Sequence, residues 1–308
     1  MKKTRLSIAL ILLVAMSVAL MVSGCAKDKP STEPTMAPTE KPADAPTAEP
    51  APAGLSGEFS FSGSTTVGKF MDAMIEAFQD ANPDAAVSYE GTGSSAGIAA
   101  LIDGTVTMAG SSREVKQAEL DEGCVPTAVA MDGIAIIANN SVAVDDLTVA
   151  QLAGIFSGNV TKWSEVIDGA EGDIVVVNRD AASGTRATFM ELVLEKALGK
   201  DPEPEFTTNA TETNSNGNMV QTVNTTPGSI GYCGIGFLSE LTDAKPVSVA
   251  GITPSIDTVM DGTYPISRYL YFVTMGEPGE GEQAFIDFCL SEEGQNIVED
   301  VGGYIKLP

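Results

Sequence analysis

The sequence predicts an α/β fold of two lobes, each a mainly parallel sheet flanked by helices. Two observations carry this. From residue 57 onward, short apolar runs alternate with amphipathic stretches, the pattern of βαβ units. Two long apolar stretches, residues 125–140 (VPTAVAMDGIAIIANN) and 264–275 (YPISRYLYFVTM), are placed to cross between lobes. Two crossings make the first lobe discontinuous and the second an insertion. Lobe 1 is then 55–138 plus 270–308 and lobe 2 is 139–269. The crossover strands serve as the hinge, and the cleft between lobes suits a small ligand.

The elements follow in order. EFSFSG predicts a strand. The next segment places Phe70, Met74 and Phe78 at four-residue spacing with Met71 and Ile75 alongside, an amphipathic helix stopped by Asn82-Pro83. AAVSYEG, a short helix SAGIAALIDG and TVTMAGS continue the alternation. TVAQLAGIFSG predicts a helix, and DIVVVNRD a strand leading into a helix over 184–198. A helix over 218–224, a Gly-punctuated strand GSIGYCGIGF and one or two C-terminal helices complete the chain.

The first 54 residues stand apart. Lys2, Lys3 and Arg5 precede an apolar run over 6–22, and VSGC ends at Cys25. Small residues before a cysteine resemble a bacterial lipobox, which implies a signal peptide over 1–24 and lipidation of Cys25. An uncleaved membrane helix is the alternative, of marginal length. Residues 25–54, rich in Pro, Thr and Ala, predict a disordered tether. Cys124, Cys233 and Cys289 remain, so one disulfide with a free thiol, or three thiols, are both open; apolar neighbours favour buried packing.

Composition excludes several functions. With 42 acidic residues against 17 basic ones, the net charge of −25 on the 308-residue chain argues against nucleic acid or an anionic membrane surface as partner. The absence of histidine removes Ser–His and Cys–His catalysis and His-containing zinc sites. No metal or cofactor site is expected.

Three Gly/Ser/Thr-rich loops each follow a predicted strand and precede a predicted helix: SGSTTVG (62–68), GTGSSAG (91–97) and DAASGTR (180–186). A helix start offers unpaired N–H groups and partial positive charge, Gly lets the backbone approach, and hydroxyls add donors. Together these make an anion site. One such loop is most often only a helix cap. Three, one of them preceded by Arg179, point to an oxyanion.

GSTTV, GTGSSAGIAALIDGT…AGSSRE, QLAGIFSGNVTKWSEV and NRDAASGTRATF, in this order, resemble the phosphate-binding (PstS-type) subunits of bacterial phosphate ABC transporters. The resemblance runs from residue 57 to the C-terminus. It implies the type II periplasmic-binding-protein fold, a lipoprotein anchored through Cys25 on the extracytoplasmic face of the membrane, inorganic phosphate as ligand, a membrane permease as partner, a monomer, and no catalysis. Its ligand contacts fall on Thr65, Thr66, Ser94, Ser95, Ser112, Arg179, Ser183, Gly184 and Thr185, with Ser64, Asp132 and Asp180 as further candidates. Where well-known members carry an acid that takes the ligand's proton and repels sulfate, this chain has Ser112. Asp132 or Asp180 could supply a carboxylate instead, and sulfate, molybdate or tungstate stay open as ligands. Arg113 and Arg186 are expected on the surface or in salt bridges. A secreted phosphoester enzyme and a surface adhesion protein are the readings from other classes.

Overall fold

The computed structural model describes residues 55–307. The leader, Cys25 and the tether lie outside the described residues. The chain opens with β1 (Gly57–Gly63), α1 (Gly68–Ala81), β2 (Ala85–Glu90), α2 (Ser94–Ile102), β3 (Met108–Ser111) and α3 (Gln117–Asp121). The long strand β4 (Cys124–Asn139) leads to β5 (Asp146–Leu147), α4 (Val149–Ser157) and β6 (Val175–Arg179). Next, α5 (Gly184–Phe189) runs on through a π-helical stretch, Met190–Glu195, into α6 (Lys196–Leu198). Then come β7 (Thr211–Thr213), α7 (Asn216–Thr225), β8 (Ser229–Gly234), β9 (Ala244–Val249), α8 (Ile256–Met260), β10 (Ser267–Met275), α9 (Glu280–Leu290) and α10 (Glu292–Asp300).

Strand order is β2-β1-β3-β10-β4-β8-β6-β7, with β9 also on β4 and β5 on β9. β1 runs parallel to β2 and β3, and β6 runs parallel to β7 and β8. Every antiparallel strand pairing among the described residues involves β4 or β10. The two apolar stretches therefore join two parallel sets. The first part of β4, Cys124–Gly133, pairs with β10, and the second, Ile134–Asn139, pairs with β8 and β9.

Packing follows the sequence pattern. The stripe Phe70, Met71, Met74 and Phe78 is the buried face of α1. Phe61, Phe78 and Phe285 meet edge to face, with centroids 5.1 and 5.0 Å apart, and pin α1 and α9 to β1. On the other sheet Phe189 stacks on Tyr232 at 4.3 Å, which fixes α5 against β8. α2 lies so close to β1 that a Cβ on Gly97 would stand 2.4 Å from the Gly63 Cα, so only glycine fits there. The three cysteines 124, 233 and 289 are free and buried. No helix among the described residues is long and apolar enough to cross a membrane.

Candidate functional site

The parallel strands β1, β3 and β6 end at Gly63, Ser111 and Arg179, and the loops beyond them meet. α2 and α5 begin at Ser94 and Gly184, and α1 begins just past Thr66. A fourth helix start joins them, because α7 begins at Asn216 with Ser215 as its cap, two residues before the expected 218. Such convergence brings unpaired N–H groups and partial positive charge to one place.

Hydroxyls knit the loops together. Ser64 Oγ accepts from the Thr66 backbone N–H at 3.1 Å and donates to Ser112 Oγ at 2.8 Å. Ser94 Oγ accepts the Ser112 N–H at 3.0 Å and lies 3.3 Å from Ser112 Oγ. Thr66 Oγ1 lies 3.3 Å from Thr185 Oγ1. Gly184 sits tight against this group: a Cβ there would be 2.2 Å from Ser94 Oγ and 2.8 Å from Ser112 Oγ.

Arg179 is held from behind. Its N–H donates to Asn178 Oδ1 at 2.9 Å, and the Tyr232 hydroxyl donates to the same oxygen at 2.5 Å. Its Nη2 donates to Thr65 Oγ1 at 3.3 Å and to the Asn214 carbonyl at 3.2 Å. The residue is 1% exposed, yet Nε and Nη1 have no partner among the described residues. Burial works against its charge and pulls its pKa down, with nearby Tyr232 and Asp180 opposing. A buried cation with unused donors is costly unless an anion pairs with it.

Other expected residues are turned elsewhere. Ser95 accepts from Arg113 Nη2 at 3.2 Å and gives its N–H to the Ala182 carbonyl at 3.0 Å. Ser183 Oγ caps its own helix by accepting the Arg186 N–H at 3.2 Å. Asp180 accepts the Ala182 N–H at 3.1 Å and lines a separate polar depression with Glu212 and Asn218. Arg113 is not on the surface; it is buried and paired with Glu119 through both terminal nitrogens, at 2.8 and 2.7 Å. Arg186 packs over the Phe206 ring.

Asp132 is fully buried beneath Thr66, and both its oxygens are taken. Oδ2 accepts from Arg268 Nε and Nη2 at 2.9 and 2.6 Å, and Oδ1 accepts the Ile235 N–H at 3.0 Å. Burial pushes its carboxyl above the usual range, with Arg268 opposing. Arg268 also donates to the Ser112 carbonyl at 2.8 Å and to Thr66 Oγ1 at 3.2 Å. Sequence reasoning passed over Arg268 and Asn216. The signal for Arg268 was a charge inside an apolar strand; for Asn216 it was the Ser215 cap.

Comparisons with known proteins agree with this architecture. The family model for the PBP superfamily domain matches residues 47–293. The phosphate-binding protein PstS of Borreliella burgdorferi is 32% identical over 246 residues, 79% of this chain and 88% of its own. That of Bacillus subtilis is 31% identical over 254 residues, 82% of this chain and 81% of its own. A Clostridium perfringens protein assigned as a phosphate ABC transporter substrate-binding protein, solved with phosphate bound, superposes with TM-score 0.74 at 35% identity, covering 82% of this chain and all of that one. The chain therefore belongs to the PBP superfamily, with the two-lobed fold of that group, and within it to the PstS family of phosphate-binding proteins.

Proposed function

We propose that the chain captures inorganic phosphate between its two lobes and passes it to the permease of an ABC transporter, without chemistry of its own. The observation that carries this is Arg179, buried with two donors unspent and bonded to Thr65 Oγ1, which Asn216 joins to the paired hydroxyls of Thr66 and Thr185. A tetrahedral dianion meets both needs at once, charge for the guanidinium and acceptors for the hydroxyls. The names of the relatives support phosphate as that dianion.

In this reading Thr65, Thr66, Ser94, Ser112, Arg179, Gly184 and Thr185 form the cage, while Ser95 and Ser183, whose N–H groups go to the Ala182 and Asp180 carbonyls, brace the loops around it. Lobe 1 comprises 55–138 plus 270–308 and lobe 2 comprises 139–269, and release follows their separation. The protein acts as a monomer held outside the membrane by lipid on Cys25. Isothermal titration of the chain without its first 24 residues tests the reading. Saturable 1:1 phosphate binding that weakens strongly in Arg179→Ala supports it, and no heat at sub-millimolar phosphate overturns it.

A further inference from the structure

We infer that Asn216 is a positioning residue that sets the polarity of the cage, committing the Thr66 hydroxyl to Thr185 and leaving the hydroxyls of Thr65 and Thr185 as donors toward the anion. The inference rests on the capture reading above. Asn216 is fully buried in the first turn of α7. Its amide has one orientation, because the Gly234 N–H donates to Oδ1 at 3.3 Å and a flipped amide would set donor against donor. Both Nδ2 protons are then spent across the cleft, on Thr65 Oγ1 and on Thr66 Oγ1, each at 3.0 Å.

A hydroxyl has one proton and two acceptor lone pairs. Thr66 Oγ1 receives from Asn216 Nδ2 and from Arg268 Nη2, groups that cannot accept. Its lone pairs are filled, so its proton goes to Thr185 Oγ1. Thr185 accepts that bond and keeps its own proton to give. Thr65 Oγ1 receives from Asn216 Nδ2 and, at 3.3 Å, from Arg179 Nη2, which fill both its lone pairs. Its proton has no acceptor among the described residues. One amide thus converts ambivalent hydroxyls into committed donors. Thr65 and Thr66 follow β1 while Asn216 follows β7, so the commitment exists only while these two loops touch. Parting them releases the hydroxyls and weakens the hold on the anion.

A double-mutant cycle tests this, using phosphate titration of the chain without its first 24 residues. Asn216→Ala and Thr185→Val should each weaken phosphate about ten- to hundredfold, the range for hydrogen bonds to charged groups. If Asn216 acts through Thr185, the double variant falls short of the product of the two losses by at least about fivefold. Losses that multiply fully overturn the inference, since a merely structural role predicts no coupling. Asn216→Leu, close in size and unable to donate, carries the same cycle should Asn216→Ala not fold. Binding by the unaltered chain with no coupling overturns this inference alone. No binding by the unaltered chain overturns the capture reading and this inference with it.

Discussion

Arg268 lays its guanidinium on the Asp132 carboxylate, Nη2 2.6 Å and Nε 2.9 Å from Oδ2, where the side chains are 4% and 0% exposed. Arg268 also bonds Thr66 Oγ1 and the Ser112 carbonyl, so the pair forms a floor beneath the two loops that carry them. Arg268→Met strands a carboxylate in a dry place and should cost about 3–5 kcal/mol of stability in urea denaturation. Adding Asp132→Asn removes the stranded charge and should restore a large part of it. A double variant no more stable than Arg268→Met would mean that the pair is not what holds the floor.

Gly184→Ala puts a methyl against Ser94 Oγ and Ser112 Oγ, where an added Cβ stands at 2.2 and 2.8 Å. Alanine suits a helix start, so the ligand-free fold should persist with an unchanged circular dichroism spectrum. The loops can no longer close, and phosphate affinity should fall more than about a hundredfold, the scale of a misplaced cage. Titration together with the spectrum checks both halves.

Most of the frame was legible because it is local. The Phe70–Met74–Phe78 stripe announces α1 by its period, and the loops at 62–68, 91–97 and 180–186 announce themselves by composition. Arg268 did not, since its partner Asp132 is 136 residues away and its neighbours read as strand. Asn216 was hidden because an asparagine after a cap is ordinary, and Thr65 lies 151 residues off. The burial of Arg113 was equally unreadable: Glu119 is near in sequence, but only the fold buries Arg113 against it.

Ser112→Asp should place a carboxylate within reach of Ser64 and Ser94. Like charge disfavours a fully ionised ligand and favours one that still carries a proton. Phosphate affinity of this variant should therefore fall more steeply with rising pH than that of the unaltered chain, and sulfate competition should weaken. Titrations below and above neutrality decide it; parallel pH profiles would show that position 112 does not sense the ligand's proton.

Glu119 is a pH-dependent brace. Burial alone would raise its carboxyl, but the Arg113 guanidinium and the Lys116 N–H outweigh this and hold it below its ordinary 4.5. A depressed carboxylate stabilises the fold fully above that ordinary value and loses the contribution as pH falls through the folded one. Acid unfolding of Glu119→Gln should accordingly show a shallower loss of stability below about pH 4.5 than the unaltered chain. Identical slopes in denaturant melts across that range would count against the brace.

Cys124, Cys233 and Cys289 lie in three different packing environments, one beside Met275, one on β8 and one on α9. Burial pushes the Cys289 thiol up to about 12 and raises the other two, which disfavours the thiolate at all three in the folded chain. Each thiol becomes reactive only when its own neighbourhood opens. The molecule therefore carries three internal clocks, and the order in which a thiol reagent marks them reports which part of the fold gives way first.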